Sequence, residues 1–284
     1  MNNRICVAPY IGAKTGRIRE ALIELLPRQN NIHTYVEPFG GMFNIGLLLS
    51  NYSIRIYNEL NPKLYDLFRF LSDRGACTEL LIQMVTQTQF SPQCFLNSKS
   101  ICNDKAKYPL LSPIDKAMHV WVLLLQSMNG NMEDFKEIRK GTEDLIYKES
   151  LVKKHELPIL LSNVQVSNMD GLELIKLNMN NPHVVMYLDP PYTLRERTSK
   201  KLYKCDMTDL KQYQLINLIE HSKSKILLSG YQNKLYDSIL TESKNWYSLP
   251  LIEASKAMAI SANGSLKSRV TEWVWMNYNP KGVA

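Results

Sequence analysis

Cysteine is sparse and unordered in this chain: Cys6, Cys77, Cys94, Cys102 and Cys205 form an odd set with no CxxC pair. That excludes a zinc ribbon and a disulfide framework, and it fits a reducing cytosol. Histidine is equally unpromising as a ligand set. His33, His119, His155, His183 and His221 make no HxxxH or HExxH pair, so metal-dependent hydrolysis has no basis and no metal is expected. Long apolar runs are missing too. The longest, such as Ile45–Ser50 and Val120–Leu125, are too short to span a bilayer. The start, Met1–Arg4, is polar and leads into no apolar run, so no signal peptide is expected and the location is read as cytoplasmic. There is no internal repeat and no low-complexity segment.

What is present is a hydrophobic content of 45% over 284 residues, enough for one large domain or a domain with a sizeable insertion. The formal net charge is +7, a modest pointer to nucleic acid. Its placement is more informative. Residues 75–160 are balanced, while Arg195, Arg197, Lys200, Lys201 and Lys204 crowd into ten residues opposed only by Glu196. Taken alone, such a run is an ordinary solvated loop.

The pattern along the chain predicts an α/β fold. A helix over Ile18–Leu26 is closed by Pro27. A strand ending at Tyr35-Val36 runs into Glu37-Pro38-Phe39-Gly40-Gly41, followed by a helix over Asn44–Leu49, a strand over Ile54–Tyr57 and a helix over Pro62–Leu71. Strand, glycine turn, helix, strand and acidic residue is the order of a nucleotide-binding βαβ unit. Between Gly75 and Leu160 helical stretches dominate, among them Thr78–Val85 and Ile114–Met128. Polar linkers are expected around Ser91–Tyr108 and Asn129–Asp134. Alternation then resumes with strand Val164–Val166, helix Leu172–Leu177, strand Val184–Leu188, helix Leu210–His221, strand Lys225–Leu228, helix Leu235–Leu240 and strand Glu272–Asn277. The expectation is a Rossmann-like sheet built from residues 1–74 and 161–284, interrupted by a mainly helical lobe over 75–160.

Four constellations bear on chemistry. Asp189-Pro190-Pro191-Tyr192 follows the apolar strand Val184–Leu188, at the carboxyl edge where open α/β sheets bind ligands. An aromatic amine is a poor nucleophile because its lone pair is delocalised into the ring. A carboxylate at Asp189 and the Pro190 carbonyl are two acceptors for its two hydrogens, which favours a tetrahedral nitrogen. Two prolines stiffen the turn, and Tyr192 offers a face for stacking an extruded base. The bland reading of this tetrapeptide alone is a stiff turn with a half-buried tyrosine. The second constellation is Glu37, Phe39 and Gly41 with Glu59, eighteen residues beyond Gly41. Glycines let a ligand approach the backbone, and an acid at the next strand end suits two ribose hydroxyls. No further GxxG phosphate cradle is present, and a cofactor without phosphates needs none. The third is Tyr10-Ile11-Gly12-Ala13-Lys14, a short loop with one lysine. The fourth is Asn168-Met169-Asp170-Gly171, in which Asp170 is a helix cap or a partner for an adenine amine.

With these residues in view the chain resembles the Dam-type DNA adenine methyltransferases, especially the compact forms of phages and prophages. The matching blocks are Tyr10–Lys14, Tyr35–Gly41, Tyr57–Leu71, Tyr187–Tyr192, Tyr203–Leu218, Ile226–Leu240 and Thr271–Tyr278. Cofactor motif, recognition insertion and then DPPY is the order of the family's α group. The resemblance implies transfer of a methyl group from S-adenosylmethionine to the N6 amine of a flipped adenine in double-stranded DNA, leaving S-adenosylhomocysteine. It makes Tyr10, Lys14, Glu59 and Asp189 cofactor contacts. Phe39 and Gly41 would line the methionine end, and Asp189–Tyr192 would hold the adenine. Three positions depart from the family pattern: Ala13 where a second glycine is common, Glu59 where Asp is more frequent, and Phe43 where the turn usually has a third small residue.

Cytosine ring methylation needs a cysteine nucleophile, usually after proline. Here Ile, Ala, Gln, Ile and Lys precede the five cysteines, so it is excluded. Cytosine-N4 methylation, and a catalytically silent DNA-binding protein of the same fold, stay open as rivals, as does RNA or protein amine methylation. For DNA contact, Arg195, Arg197, Lys200 and Lys201 are expected on phosphates. Base readers are expected in the insertion, at Gln126, Ser127, Arg139 and Lys140, with Asn129, Asn131 and Lys136 nearby. The target sequence, a companion restriction enzyme and the oligomeric state are open.

Overall fold

The computed structural model describes residues 5–27, 31–138, 141–191, 207–232, 234–241, 245–255 and 269–280. In chain order these form α1 (Gly16–Leu25), β1 (Thr34–Glu37), β2 (Ile54–Asn58), α2 (Pro62–Leu71), α3 (Arg74–Gln87), α4 (Pro92–Asn103), α5 (Pro113–Gln126), α6 (Glu143–Val152) and α7 (Leu157–Leu160). There follow β3 (Val164–Ser167), α8 (Gly171–Asn178), β4 (Val184–Leu188), α9 (Asp209–Glu220), β5 (Lys225–Tyr231), α10 (Lys234–Tyr236), β6 (Tyr247–Ser255) and β7 (Arg269–Met276). The strands make a seven-stranded, mostly parallel sheet flanked by helices, a mixed α/β architecture of the Rossmann-like kind. Among the described residues no helix is long and apolar enough to cross a membrane.

Local chemistry explains most boundaries. Asn61 caps α2 by accepting from the Lys63 N–H, proline occupies its first turn, and Leu64, Leu67, Phe68 and Leu71 recur at helical spacing on its buried side. Asp73, Ser91 and Ser112 cap α3, α4 and α5 in the same way. Two expectations fail here. Ser91–Tyr108 is no linker, since α4 occupies most of it. That helix rests on its cap and proline start and buries only Phe95, Ser98 and Cys102, so its apolar stripe is faint. Asn44–Leu49 is not a helix but holds a single 3₁₀ turn, Gly46–Leu48. Phe43 takes a left-handed φ of 55°, and its buried ring lies so close to Gly46 that a Cβ there would be 2.3 Å from it. Phe43 thereby fills core space, edge-on to Tyr57 and Phe68.

The chain divides into two compact units, residues 1–15 with 40–169 and residues 16–39 with 170–284. In the first, β2 and β3 pair in parallel, and the helices of the 75–160 stretch belong to this same unit. The apolar α5 packs against α2, α3 and α4. Buried Arg55 on β2 ties the unit's distant segments together, donating to the carbonyls of Gly46 at 3.1 Å, Leu160 at 2.8 Å and Ser162 at 3.1 Å. Trp121 of α5 donates to the Val7 carbonyl at 3.0 Å, and buried Lys154 donates to that of Cys6 at 2.8 Å.

In the second unit the strand order is β1-β4-β5-β7-β6, with β1, β4 and β5 parallel and β7 antiparallel to both neighbours. All five residues of β4, Val-Val-Met-Tyr-Leu, are buried, as expected of a strand covered on both faces. β6 was not expected from sequence. It carries Pro250, and its pairing slips between Pro250 and Ile252, the behaviour of an edge strand that tolerates a proline.

Arg55→Met is expected to lower stability by about 3 kcal/mol, because three carbonyls lose their donor while the new side chain packs in the same space. Urea denaturation measures it. A loss under roughly 0.5 kcal/mol would show that the clamp contributes little.

Candidate active site

In the first unit the glycine turn and Glu59 are built as one piece. The Gly40 N–H donates to the Asn58 carbonyl at 2.8 Å. A Cβ on Gly40 would lie 2.4 Å from the Tyr57 ring and 2.8 Å from that same carbonyl, so only glycine fits. Gly41 has a left-handed φ of 48°. Its N–H donates to Glu59 Oε2 at 3.0 Å, and its carbonyl accepts from the Tyr57 hydroxyl at 3.0 Å. Glu59 Oε1 accepts from the Asn61 N–H at 2.9 Å. The half-buried carboxylate is therefore fixed at both oxygens and still has lone-pair capacity to accept from a hydroxyl. Burial pushes its carboxyl pKa up, opposed by the N–H groups of Asn61, Gly41 and Leu60.

Around it, Asn58 orders the segment after β3. Its Oδ1 accepts from the Met169 N–H and the Ser167 hydroxyl, and its Nδ2 donates to the Met169 carbonyl. Asn168 Nδ2 donates to the carbonyls of Glu59 and Leu60. The Tyr10 ring stands 3.8 Å from where a Gly41 Cβ would be, and Lys14 is buried. Gly130, at φ 69°, presses on the Pro9-Tyr10 backbone, leaving a Cβ only 2.0 Å from the Pro9 carbonyl oxygen. Asn58 and Gly130 were not singled out from sequence. Gly130 had one available signal, a glycine inside a polar stretch.

The second unit holds the Asp189-Pro190-Pro191 turn at the carboxyl end of β4. Asp189 is half-buried and Pro190 is buried. Ser229 on β5 donates to Asp189 Oδ1 through a long bond of 3.4 Å, and the Tyr187 hydroxyl lies 2.9 Å from the same Ser229 hydroxyl. The Pro191 carbonyl accepts from Nε2 of buried Gln212 on α9 at 2.8 Å. Tyr192 lies outside the described residues. Glu37, at the end of β1, is buried and accepts from the Tyr35 hydroxyl at 2.6 Å. The Phe39 ring rests on the start of α8, where a Gly171 Cβ would be 2.5 Å away, so Gly171 is a packing glycine. Asp170 caps α8 through the Leu172 N–H at 2.9 Å, and its other oxygen meets Lys211 Nζ at 2.7 Å. The Lys211 hydrogen bond is the main reason its carboxyl sits below the usual carboxylate range. The cap is thus observed, together with an ion pair that the sequence did not announce.

Two expected base readers are corrected. Gln126 is fully buried, donating to the Gln89 carbonyl at 2.8 Å and accepting from the Ser91 N–H at 3.3 Å. Ser127 is buried as well, and its hydroxyl accepts from the Met132 N–H at 2.9 Å. An amide bonded to backbone at both ends is framework: the Gln126 side chain ties α5 to the segment between α3 and α4, and Ser127 holds the loop that follows α5. Met128 and Asn129 are the exposed residues at its start. Arg139, Lys140, Arg195, Arg197, Lys200, Lys201 and Lys204 lie outside the described residues.

A strand-end carboxylate fixed by a glycine turn, and an Asp-Pro-Pro turn on a parallel strand, are the two arrangements from which an S-adenosylmethionine-dependent amine methyltransferase would build its site. Residues 10–258 match the family model of the D12 class N6 adenine-specific DNA methyltransferases, and the chain belongs to that family. No curated relative matches the chain. It is an enzyme of adenine-N6 DNA methylation, and the cytosine-N4 reading is set aside.

Proposed function

We propose that Asp189 and the Pro190 carbonyl are the two acceptors that activate the target amine, with Tyr192 stacking a flipped adenine. The observation that carries this reading is the Asp189-Pro190-Pro191 turn, which ends the buried strand β4 and is held on both sides by Ser229 and Gln212. S-adenosylmethionine supplies an electrophilic methyl group on its sulfonium. The Asp189 carboxylate accepts a hydrogen bond from one amine N–H and the Pro190 carbonyl from the other, so the lone pair turns out of the ring plane. The nitrogen–carbon bond forms as the carbon–sulfur bond breaks, and the surplus amine proton leaves by way of the Asp189 carboxylate.

For the cofactor, Glu59 is the ligand of both ribose hydroxyls. Its carboxylate is ordered in advance by Gly41 and Asn61 and has lone pairs left over, so the residues present fit the group. Tyr10, Lys14, Glu37, Phe39 and Gly41 complete the cofactor set. Asp170 serves the adenine amine of the cofactor only in addition to its cap. The Dam-type, α-group and phage-form assignment rests on the order of the seven matching blocks. Double-stranded DNA is the substrate in this reading. Arg195, Arg197, Lys200 and Lys201 hold its phosphates, because the run follows the catalytic turn directly, and Arg139 and Lys140 read bases.

Glu59→Ala is expected to weaken S-adenosylmethionine binding on the order of tenfold to a hundredfold, with a smaller change in kcat, since hydrogen bonds to a charged group are lost away from the reacting methyl. Calorimetry with unchanged affinity would remove Glu59 from the site. Asp189→Ala is expected to cut kcat by about 10²- to 10³-fold, the usual consequence of deleting a group that acts in the transition state. Asp189→Asn should be similarly impaired, because its amide turns a donor toward the amine. Near wild-type turnover of either variant would overturn the catalytic assignment.

A further inference from the structure

Proline rings fix φ at positions 190 and 191, and the residue before a proline is confined to extended ψ. Asp189 and Pro190 each precede a proline, so the ψ of Pro191 is the one soft backbone dihedral at the end of this turn. That dihedral swings the Pro191 carbonyl and sets the direction in which the chain leaves towards Tyr192. The Pro191 carbonyl is the group that Gln212 holds, at 2.8 Å.

The Gln212 amide is itself oriented. It is buried, and its Oε1 accepts from the Tyr236 hydroxyl, which leaves Nε2 turned to Pro191. Tyr236 is buried in turn, edge-on to Trp275 with ring centroids 5.1 Å apart, and the Trp275 indole donates to Asp237 at 3.2 Å. The hydrogen-bonding direction of one buried amide is thus set from the core outward. The preceding residue, Lys211, pairs with Asp170, so two consecutive residues in the first turn of α9 fasten two separate site segments.

We propose that Gln212, oriented by Tyr236, is a positioning residue for methyl transfer, locking the last free dihedral of the Asp189-Pro190-Pro191 turn. The proposal rests on the reading of that turn as catalytic. Without the Gln212 bond the end of the turn is no longer anchored to α9, so the Asp189 and Pro190 acceptors can shift with it, and misplacement of the reacting groups by about 1 Å costs up to roughly a hundredfold in rate.

The test compares single-turnover methylation of adenine in duplex DNA, S-adenosylmethionine affinity by calorimetry, and thermal midpoints. Gln212→Leu is expected to slow methyl transfer about tenfold to a hundredfold while cofactor affinity stays within about twofold of wild type. Tyr236→Phe keeps the ring but releases the amide, and should slow transfer about fivefold. Gln212→Glu provides a signature that simple loss of packing does not. A buried carboxyl titrates high, and only its protonated form can donate to the Pro191 carbonyl. Its rate should therefore rise, relative to wild type, as pH falls from about 8.5 to about 6.5. Gln214→Leu, on the exposed side of α9, serves as the matched control. A folded Gln212→Leu with wild-type rate, or a Gln212→Glu pH profile parallel to wild type, would overturn the proposal. Should Gln212→Leu fail to fold, Tyr236→Phe and the Gln212→Glu profile decide. Asp189→Ala is measured alongside. If it is inactive while the Gln212 variants are active, the positioning role alone falls. If it remains active, the catalytic reading falls, and the positioning role with it.

Discussion

Two acceptors aimed at one amine work only if neither can swing away, because a carboxylate or carbonyl left loose in a polar site turns to water. Fixing them before substrate arrives removes the reorganisation that would otherwise accompany the reaction. At the Asp189-Pro190-Pro191 turn, which we propose carries these acceptors, short-range covalent stiffness and long-range hydrogen bonds act together. The two prolines restrict what the backbone of residues 189–191 can do. Ser229 and Gln212, from β5 and α9, engage the Asp189 carboxylate and the Pro191 carbonyl on either side of Pro190. The rigidity of β4, buried along its whole length, gives both arms something firm to act against.

The same logic governs Glu59 in the other unit. A carboxylate at a strand end is exposed to desolvation, and burial raises its pKa, so an undirected side chain there would be a poor ligand. The N–H groups of Gly41 and Asn61 bind one oxygen each and hold it in a single pose. The tight approach of Gly40 to Tyr57 and Asn58 explains why the turn is glycine at that position and why the next residue can point its N–H at the acid. Phe43, which departs from the family pattern, is accounted for by the core: its ring fills the space over Gly46 and beside Tyr57.

Much of this was legible in the sequence wherever the determining contacts are local. α2 and β4 fall on the residues expected, because Asn61 and Pro62 mark one start and an unbroken apolar run marks the other. The glycine turn, Glu59 and the Asp-Pro-Pro turn were singled out from strand-end chemistry, and each stands just after a strand. What failed depends on the direction in which a side chain faces, or on a local signal too weak to read. Gln126 and Ser127 looked like polar residues at a helix end, but spacing does not say which way an amide faces, and both face inward. β6 was hidden by Pro250, and α4 by its thin apolar stripe. Asp170 could be read as a cap from its neighbours, whereas its ion pair to Lys211, 41 residues away, could not. Ser229 and Gln212 were passed over for the same reason. Gln212 did leave a trace: it shares the buried side of α9 with Leu215, Ile216 and Ile219, and a polar amide on an apolar stripe signals a partner across the interior.

Transfer of methyl groups to the N6 amine of adenine in DNA is the activity of the family to which this chain belongs. It is tested most directly by incubating the purified protein with duplex DNA and S-adenosylmethionine carrying a deuterated methyl group. The DNA is then digested and its nucleosides are weighed by mass spectrometry. The account requires the label in N6-methyladenine, with cytosine unlabelled. Label in N4-methylcytosine, or folded protein that binds DNA and leaves every nucleoside unlabelled, would contradict it.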